Sequence, residues 1–194
     1  MIIETVITTV NSNGKINFSA VGVEFSKSRA IFNLYKKSNT VLNLEIKDYG
    51  IINIVDKAEY LIKAALSSEK MDISKLKEND LYYLSDCCSY YQFKVLEIKD
   101  CGEKYQVEVK ILTKKENRKY IGFNRANNLL LEAAVIGSRI GITKDKSDLI
   151  NFLNDNRRVI IKTGNTNTEK TLAFLEKQLE NNNFNNRSDN LDWS

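Results

Sequence analysis

The sequence predicts an α+β protein, mainly β: a barrel-like core over residues 1–113, then a helical C-terminal stretch over 114–180. Three observations carry that expectation. Three Ile-, Val- and Thr-rich runs follow one another on short turns, which is the pattern of an antiparallel meander in a barrel or sandwich. A second alternating pair, Tyr90 to Lys99 and Lys104 to Thr113, flanks the turn Asp100-Cys101-Gly102-Glu103. From Phe123 the apolar period lengthens to that of a helix.

Taken in order, Ile2 to Val10 reads as a strand and Asn11-Ser12-Asn13-Gly14 as a turn. Lys15 to Phe25 resumes the strand, with Gly22 marking a bulge or a close approach. Ser26-Lys27-Ser28 leads into a third strand, Arg29 to Tyr35. Thr40 to Tyr49 follows as a helix, with Leu42, Ile46 and Tyr49 on one face and Gly50 at C′. Ile51 to Val55 is a short buried strand, Ala58 to Leu66 a second helix, and Ser67 to Asp80 a polar loop. With the later hairpin this makes at least six strands.

In the C-terminal part Asn124 caps a helix running to about Arg139. Ser147 caps a short helix from Asp148 to Leu153, and Arg157 to Ile161 reads as a brief strand ending at Lys162-Thr163-Gly164. Thr166 and Glu169 have capping-box spacing ahead of a helix bearing Leu172, Leu175 and Leu179. Residues 181–194 are Asn-rich and poor in apolar side chains, the composition of a disordered tail.

Composition narrows the chemistry. The 194 residues suit one domain, or one with a small appendage, and 42% apolar with 28% charged residues is ordinary for a globular chain. A net charge of +4 is spread thinly, without a basic stripe, so nucleic acid is not expected as a partner. The absence of histidine removes imidazole acid–base chemistry, Ser-His and Cys-His nucleophiles and His-based metal centres. Proline is absent too, for which we have no functional account. Cys87, Cys88 and Cys101 form neither a disulfide framework nor a zinc motif, which fits a reducing compartment. The first residues lack a basic n-region, and no apolar run nears the roughly 20 residues of a membrane span. A cytoplasmic protein without metal or membrane is expected.

The most informative stretch is Ile31 to Leu44. There an apolar strand meets Lys36 and Lys37, then Ser38, Asn39 and Thr40 at a helix start. Hydroxyl and amide side chains suit an N-cap, and the free first-turn N–H groups with the helix dipole attract anions. An ordinary capped helix and a phosphate cradle are both consistent with these residues.

Beyond the residues taken singly, IIETVITTVNSNGKINFSAVGV resembles the start of a mainly archaeal family of uncharacterised proteins with an FMN-binding split β-barrel. The segment NTVLNL is similar to that family's Thr-Arg-Thr-x-x-Asn-Leu, GFNRANNLLLEAAVIGSRI to its Gly-Phe-Asn-Arg-Ala helix, and IIKTG to its Lys-Thr-Gly. The resemblance extends from residue 2 to about 180. It implies a split-barrel homodimer with FMN near the interface, related to flavin reductases and pyridoxamine-phosphate oxidases. It further implies an oxidoreductase with a small-molecule substrate or nicotinamide donor, or else a non-enzymatic binder of flavin or another phosphorylated ligand, or a split barrel that has lost its cofactor.

Residue by residue, the resemblance places Ser38, Asn39 and Thr40, with Lys37 and Asn43, around the FMN phosphate. Asn17, Ser19 and Gly22 fall on the strand beside the isoalloxazine ring, and Asn124, Arg125 and Lys162 are placed around the same site. Three positions depart from the family: Asn39 stands for an arginine, Ser19-Ala20 for Ala-Pro, and Gly141 near a frequent histidine. The tyrosines Tyr82, Tyr83, Tyr90 and Tyr91 are read as packing groups, and Cys87-Cys88 as structural.

Overall fold

Alternation and turn chemistry build the first three strands. In the computed structural model, which describes residues 1–67, 69–76, 80–141 and 143–180, β1 (Ile2–Val10), β2 (Ile16–Ser26) and β3 (Arg29–Tyr35) form the expected meander. Gly14 takes φ +78° in the first turn, a conformation that costs a residue without Cβ little. Helix α1 (Asn39–Ile46) follows, then β4 (Tyr49–Ile54), α2 (Ala58–Leu66), the short pair β5 (Ile73–Lys75) and β6 (Tyr82–Leu84), and the long hairpin β7 (Ser89–Cys101) and β8 (Lys104–Glu116). Six strands close an antiparallel barrel in the order β1-β2-β3-β8-β7-β4, while β5 and β6 pair apart.

The chain divides into two compact units. The barrel unit comprises residues 1–56 and 69–121. Its core is Ile7, Val21, Val23, Ala30, Phe32, Leu34, Ile52, Phe93, Val107 and Val109, joined by Val41 and Leu44 of α1. Helix α1 therefore inserts its apolar face among the inward side chains of the barrel. The helical unit comprises the described residues of 57–68 and 122–194, so it takes in α2 as well as α3 (Arg125–Ser138), α4 (Lys146–Thr163) and α5 (Thr166–Glu180). It has a separate core around Ile62, Leu130, Leu149, Ile160 and Leu175. No helix among the described residues is long and apolar enough to cross a membrane.

Five local expectations are corrected. Helix α1 ends at Ile46, and Tyr49 and Gly50 lie in β4, so Gly50 is a strand residue against the Phe93 ring and not a C′ residue. The polar stretch from Ser67 to Asp80 includes β5, which is held to Tyr82–Leu84. Arg157 to Ile161 is helical: buried Leu149, Leu153 and Ile160 supply one continuous face of α4, and that period outweighs the β-branched run at its end. The α4 cap is Asp145, whose N–H donates to the Asp148 carboxylate at 2.9 Å, not Ser147. Likewise α5 is capped one residue early. Asn165 Oδ1 accepts from the N–H of Asn167 (3.0 Å) and Thr168 (3.1 Å), and Thr168 Oγ1 accepts from Asn165 N–H at 2.7 Å. The reading of 181–194 as a disordered tail lies outside the described residues.

Candidate functional site

The anion-friendly stretch becomes a junction between β2 and α1. Ser38 is the N-cap of α1, and its Oγ accepts from Val41 N–H at 3.4 Å. The N–H groups of Asn39 and Thr40, in the first turn, have no intrahelical acceptor. Thr40 is fully buried, and its hydroxyl is committed to β2. Asn17 Nδ2 donates to Thr40 Oγ1 at 3.0 Å and contacts Ser19 Oγ at 3.4 Å, while the two hydroxyl oxygens lie 2.6 Å apart. Asn17 and Ser19 share the inward face of β2 with Val21 and Val23, because side chains alternate along a strand. The barrel thus brings together two groups that are more than twenty residues apart in the chain.

Backbone pairing leaves an opening at the same place. β2 pairs with β1 along Ile16 to Glu24, but with β3 only from Val23 to Ser26. On the side away from β1, the polar backbone groups between Ile16 and Gly22 have no strand partner among the described residues. No register shift occurs at Gly22; its small size serves a close approach, since a Cβ there would meet Ile2 Cγ2 at 2.6 Å.

The neighbouring charges separate. Lys36 Nζ donates to Asp100 at 2.5 Å and lies 5.2 Å from the Tyr105 ring centroid, so it belongs to the β7–β8 turn. Asp100 raises the Lys36 pKa through that hydrogen bond. Lys37 is exposed and has no ion-pair partner among the described residues. Asn39 is exposed at the helix start. Asn43 points the other way, donating to Thr9 Oγ1 at 2.9 Å in a buried contact.

The three C-terminal candidates all lie in the helical unit. Asn124 caps α3 by accepting from Asn127 N–H at 3.0 Å and donates to the Thr163 carbonyl at 2.9 Å, so its side chain serves the helix start there. Arg125 and Lys162 are exposed on α3 and α4. The tyrosines pack as expected: Tyr83 stacks on Tyr90 at 4.2 Å, and Tyr91 meets Phe25 at 4.9 Å.

Sequence reading overlooked a strongly perturbed carboxyl, Asp56. Its side chain is 2% exposed and bonded by both Arg118 NH groups, which hold its carboxyl well below the usual carboxylate range, at about 2. Arg118 Nε also reaches Asp86 at 2.6 Å, and Ile121 N–H donates to Asp56 at 3.1 Å. Sixty-two residues separate Asp56 from Arg118, and no local motif joins them. Burial pushes the neighbouring thiols up, Cys87 to about 12 and Cys88 to about 11. Because the thiolate is the nucleophile, iodoacetamide on native protein will label exposed Cys101 alone, with Cys87 and Cys88 reacting only after denaturation. Mass spectrometry of the native adduct checks this, and early double labelling would contradict it.

Comparison with known proteins agrees with this architecture. Residues 3–118 match the model of a protein of unknown function (DUF447) N-terminal domain, and residues 124–177 match a second model, protein of unknown function (DUF447). An uncharacterised protein of Methanocaldococcus jannaschii, MJ1453, is 35% identical over 92% of this chain and 98% of its own. The FMN-bound protein MM1853 from Methanosarcina mazei, of the same family model, has a TM-score of 0.76 at 17% identity, covering 91% of this chain and 94% of its own. Flavoredoxin from Methanosarcina acetivorans follows at TM-score 0.52 and 12% identity, covering 62% of this chain and 75% of its own. The fold is that of a split β-barrel with a helical C-terminal extension, and the chain belongs to the DUF447 family.

Proposed function

We propose that this chain is an FMN-binding flavoprotein that acts as an oxidoreductase on a small-molecule substrate, as a homodimer with the flavin near the interface. The observation that carries the reading is the unpaired edge of β2 from Ile16 to Gly22, lying beside the capped start of α1 on one barrel. An isoalloxazine ring needs hydrogen-bonding backbone along its polar edge, and a phosphate needs N–H donors and positive charge. The open strand edge fits the first requirement. The N–H groups of Asn39 and Thr40, the Ser38 hydroxyl and the unpaired Lys37 fit the second. MM1853 is FMN-bound and shares both family and fold with this chain, which favours FMN over other phosphorylated ligands.

Bound FMN supplies hydride and electron transfer, and the chain's task is to hold and orient it. Lys37 supplies a point charge without the two-pronged geometry of an arginine. A flavin store that performs no turnover is the second reading. It is favoured by one observation: Asn17, Ser19, Ser38, Asn39 and Thr40 are all non-titratable, so none of these side chains serves as a general acid or base.

The test is the visible spectrum of purified protein followed by FMN titration. Flavin absorbance that bleaches with a reduced nicotinamide supports the oxidoreductase, and binding without bleaching supports the store. No uptake at tens of micromolar FMN would sink both. Ser38→Ala combined with Thr40→Ala will weaken FMN binding; unchanged affinity would place the phosphate elsewhere.

A further inference from the structure

The protons at the β2–α1 junction do not divide evenly. Asn17 Nδ2 lies 3.0 Å from Thr40 Oγ1 and 3.4 Å from Ser19 Oγ, and because both oxygens sit on one side of it a single N–H serves them, aimed chiefly at the nearer Thr40. The hydroxyl oxygens of Ser19 and Thr40, 2.6 Å apart, share a single proton between them. Two hydroxyls own two protons, so one is left over.

Burial decides which residue keeps it. Thr40 is 0% exposed, and among the described residues its hydroxyl has no further acceptor. A spare proton there would be a buried donor without a partner, an arrangement folded proteins avoid. Ser19 is only half-buried. Thr40 therefore donates to Ser19, and the unspent proton sits on Ser19, the less buried of the two hydroxyls. The chain of donors runs from Asn17 through Thr40 to Ser19, and each bond polarises the next.

We infer that Ser19 donates this proton to a phosphate oxygen of the bound flavin, with Asn17 and Thr40 as the positioning residues that aim it; the inference rests on the flavin reading above. The choice of acceptor follows from chemistry. An ionised phosphate presents acceptors only, and the junction presents mainly donors: the Ser19 hydroxyl, the first-turn N–H groups of α1 and the unpaired Lys37. The ring edge of a flavin, by contrast, needs acceptors as well as donors.

Riboflavin, which lacks only the phosphate, separates this role from general support of the fold. The full chain and its Ser19→Ala, Asn17→Leu and Thr40→Val variants are titrated with FMN and with riboflavin. Ser19→Ala will bind FMN about tenfold more weakly, or worse, the loss expected for one hydrogen bond to a charged group, while riboflavin affinity stays within about twofold. Thr40→Val and Asn17→Leu will show the same one-sided loss to a smaller degree, and Thr40→Ser will restore it. Parallel losses for both ligands would put the Ser19 donor on the ring or ribityl chain and overturn the inference, as would unchanged FMN affinity. Should Thr40→Val fail to fold, Ser19→Ala decides alone, since it leaves the buried threonine in place. A wild-type chain that takes up neither flavin sinks the flavin reading and the inference together. Tight FMN binding indifferent to Ser19→Ala sinks the inference only.

Discussion

Replacing Arg118 with leucine is expected to destabilise the barrel unit by about 3–5 kcal/mol, the usual cost of removing one partner from a buried ion pair. The Asp56 carboxylate is 2% exposed and depends on Arg118 for charge compensation, with the Ile121 N–H as a further backbone donor. Water cannot take over at that depth, so the variant must hold a bare carboxylate or protonate it. The effect therefore depends on pH. In the native protein the Asp56 pKa is depressed to about 2, chiefly by the Arg118 hydrogen bonds. A depressed carboxyl stabilises the fold above its unfolded pKa, near 4, and that contribution is lost as pH falls towards 2. Without Arg118, burial instead raises the Asp56 pKa, and protonation relieves the strain. The gap in melting temperature between wild type and Arg118→Leu will be widest near pH 7 and will shrink towards pH 4. Thermal unfolding across that range tests it, and a gap independent of pH would contradict the account.

A single methyl group on Gly50 is expected to cost about 1–3 kcal/mol, the range for overpacking a well-filled core. A Cβ at this position would lie 2.6 Å from Phe93 Cζ, 2.9 Å from Phe93 Cε1 and 3.1 Å from the Thr8 carbonyl oxygen. The ring cannot withdraw, because Phe93 is 0% exposed and meets Phe32 edge-on at 5.8 Å. For a chain of this size the loss corresponds to roughly 2–4 °C in Tm per kcal/mol. Gly22→Ala provides the control. There the obstacle is the Cγ2 methyl of Ile2, a residue 62% exposed whose side chain has room to change rotamer, so its cost will be smaller. Combining Gly50→Ala with Phe93→Leu will recover part of the loss relative to the sum of the two single changes. Strict additivity would show that the ring is not the obstacle.

Gly50 also shows where local reading stopped. A glycine after a helical run resembles a C′ residue, and nothing nearby in sequence argues otherwise. The residue that demands a glycine is Phe93, its partner across the β4–β7 ladder, forty-three positions further on. Residues 157–161 depart from local expectation for a related reason: Val159, Ile160 and Ile161 favour a strand locally, and packing of Leu149, Leu153 and Ile160 into one core selects the helix. The ion pair of Asp56 and Arg118 carries no signature at all, since neither residue belongs to a periodic pattern.

Within the candidate site, sequence reading marked Asn17, Ser19, Ser38 and Thr40 as members. Tertiary structure added what the sequence could not: Thr40 is fully buried, and its hydroxyl is tied to Asn17 and Ser19 on β2.

What the sequence determined by itself was whatever rests on neighbours within a turn or a strand. The meander of β1 to β3, the Asn124 and Ser38 caps and helix α2 all follow from side-chain alternation, hydroxyl and amide caps and the helical period. Tertiary structure alone decided barrel closure by β3 and β8, the unpaired half of β2, and the bonds that tie Asn17 and Ser19 to Thr40. These depend on strand register and on burial, which arise only when distant segments are brought together. The same physical chemistry acts at both ranges, but in the sequence only the short range can be read.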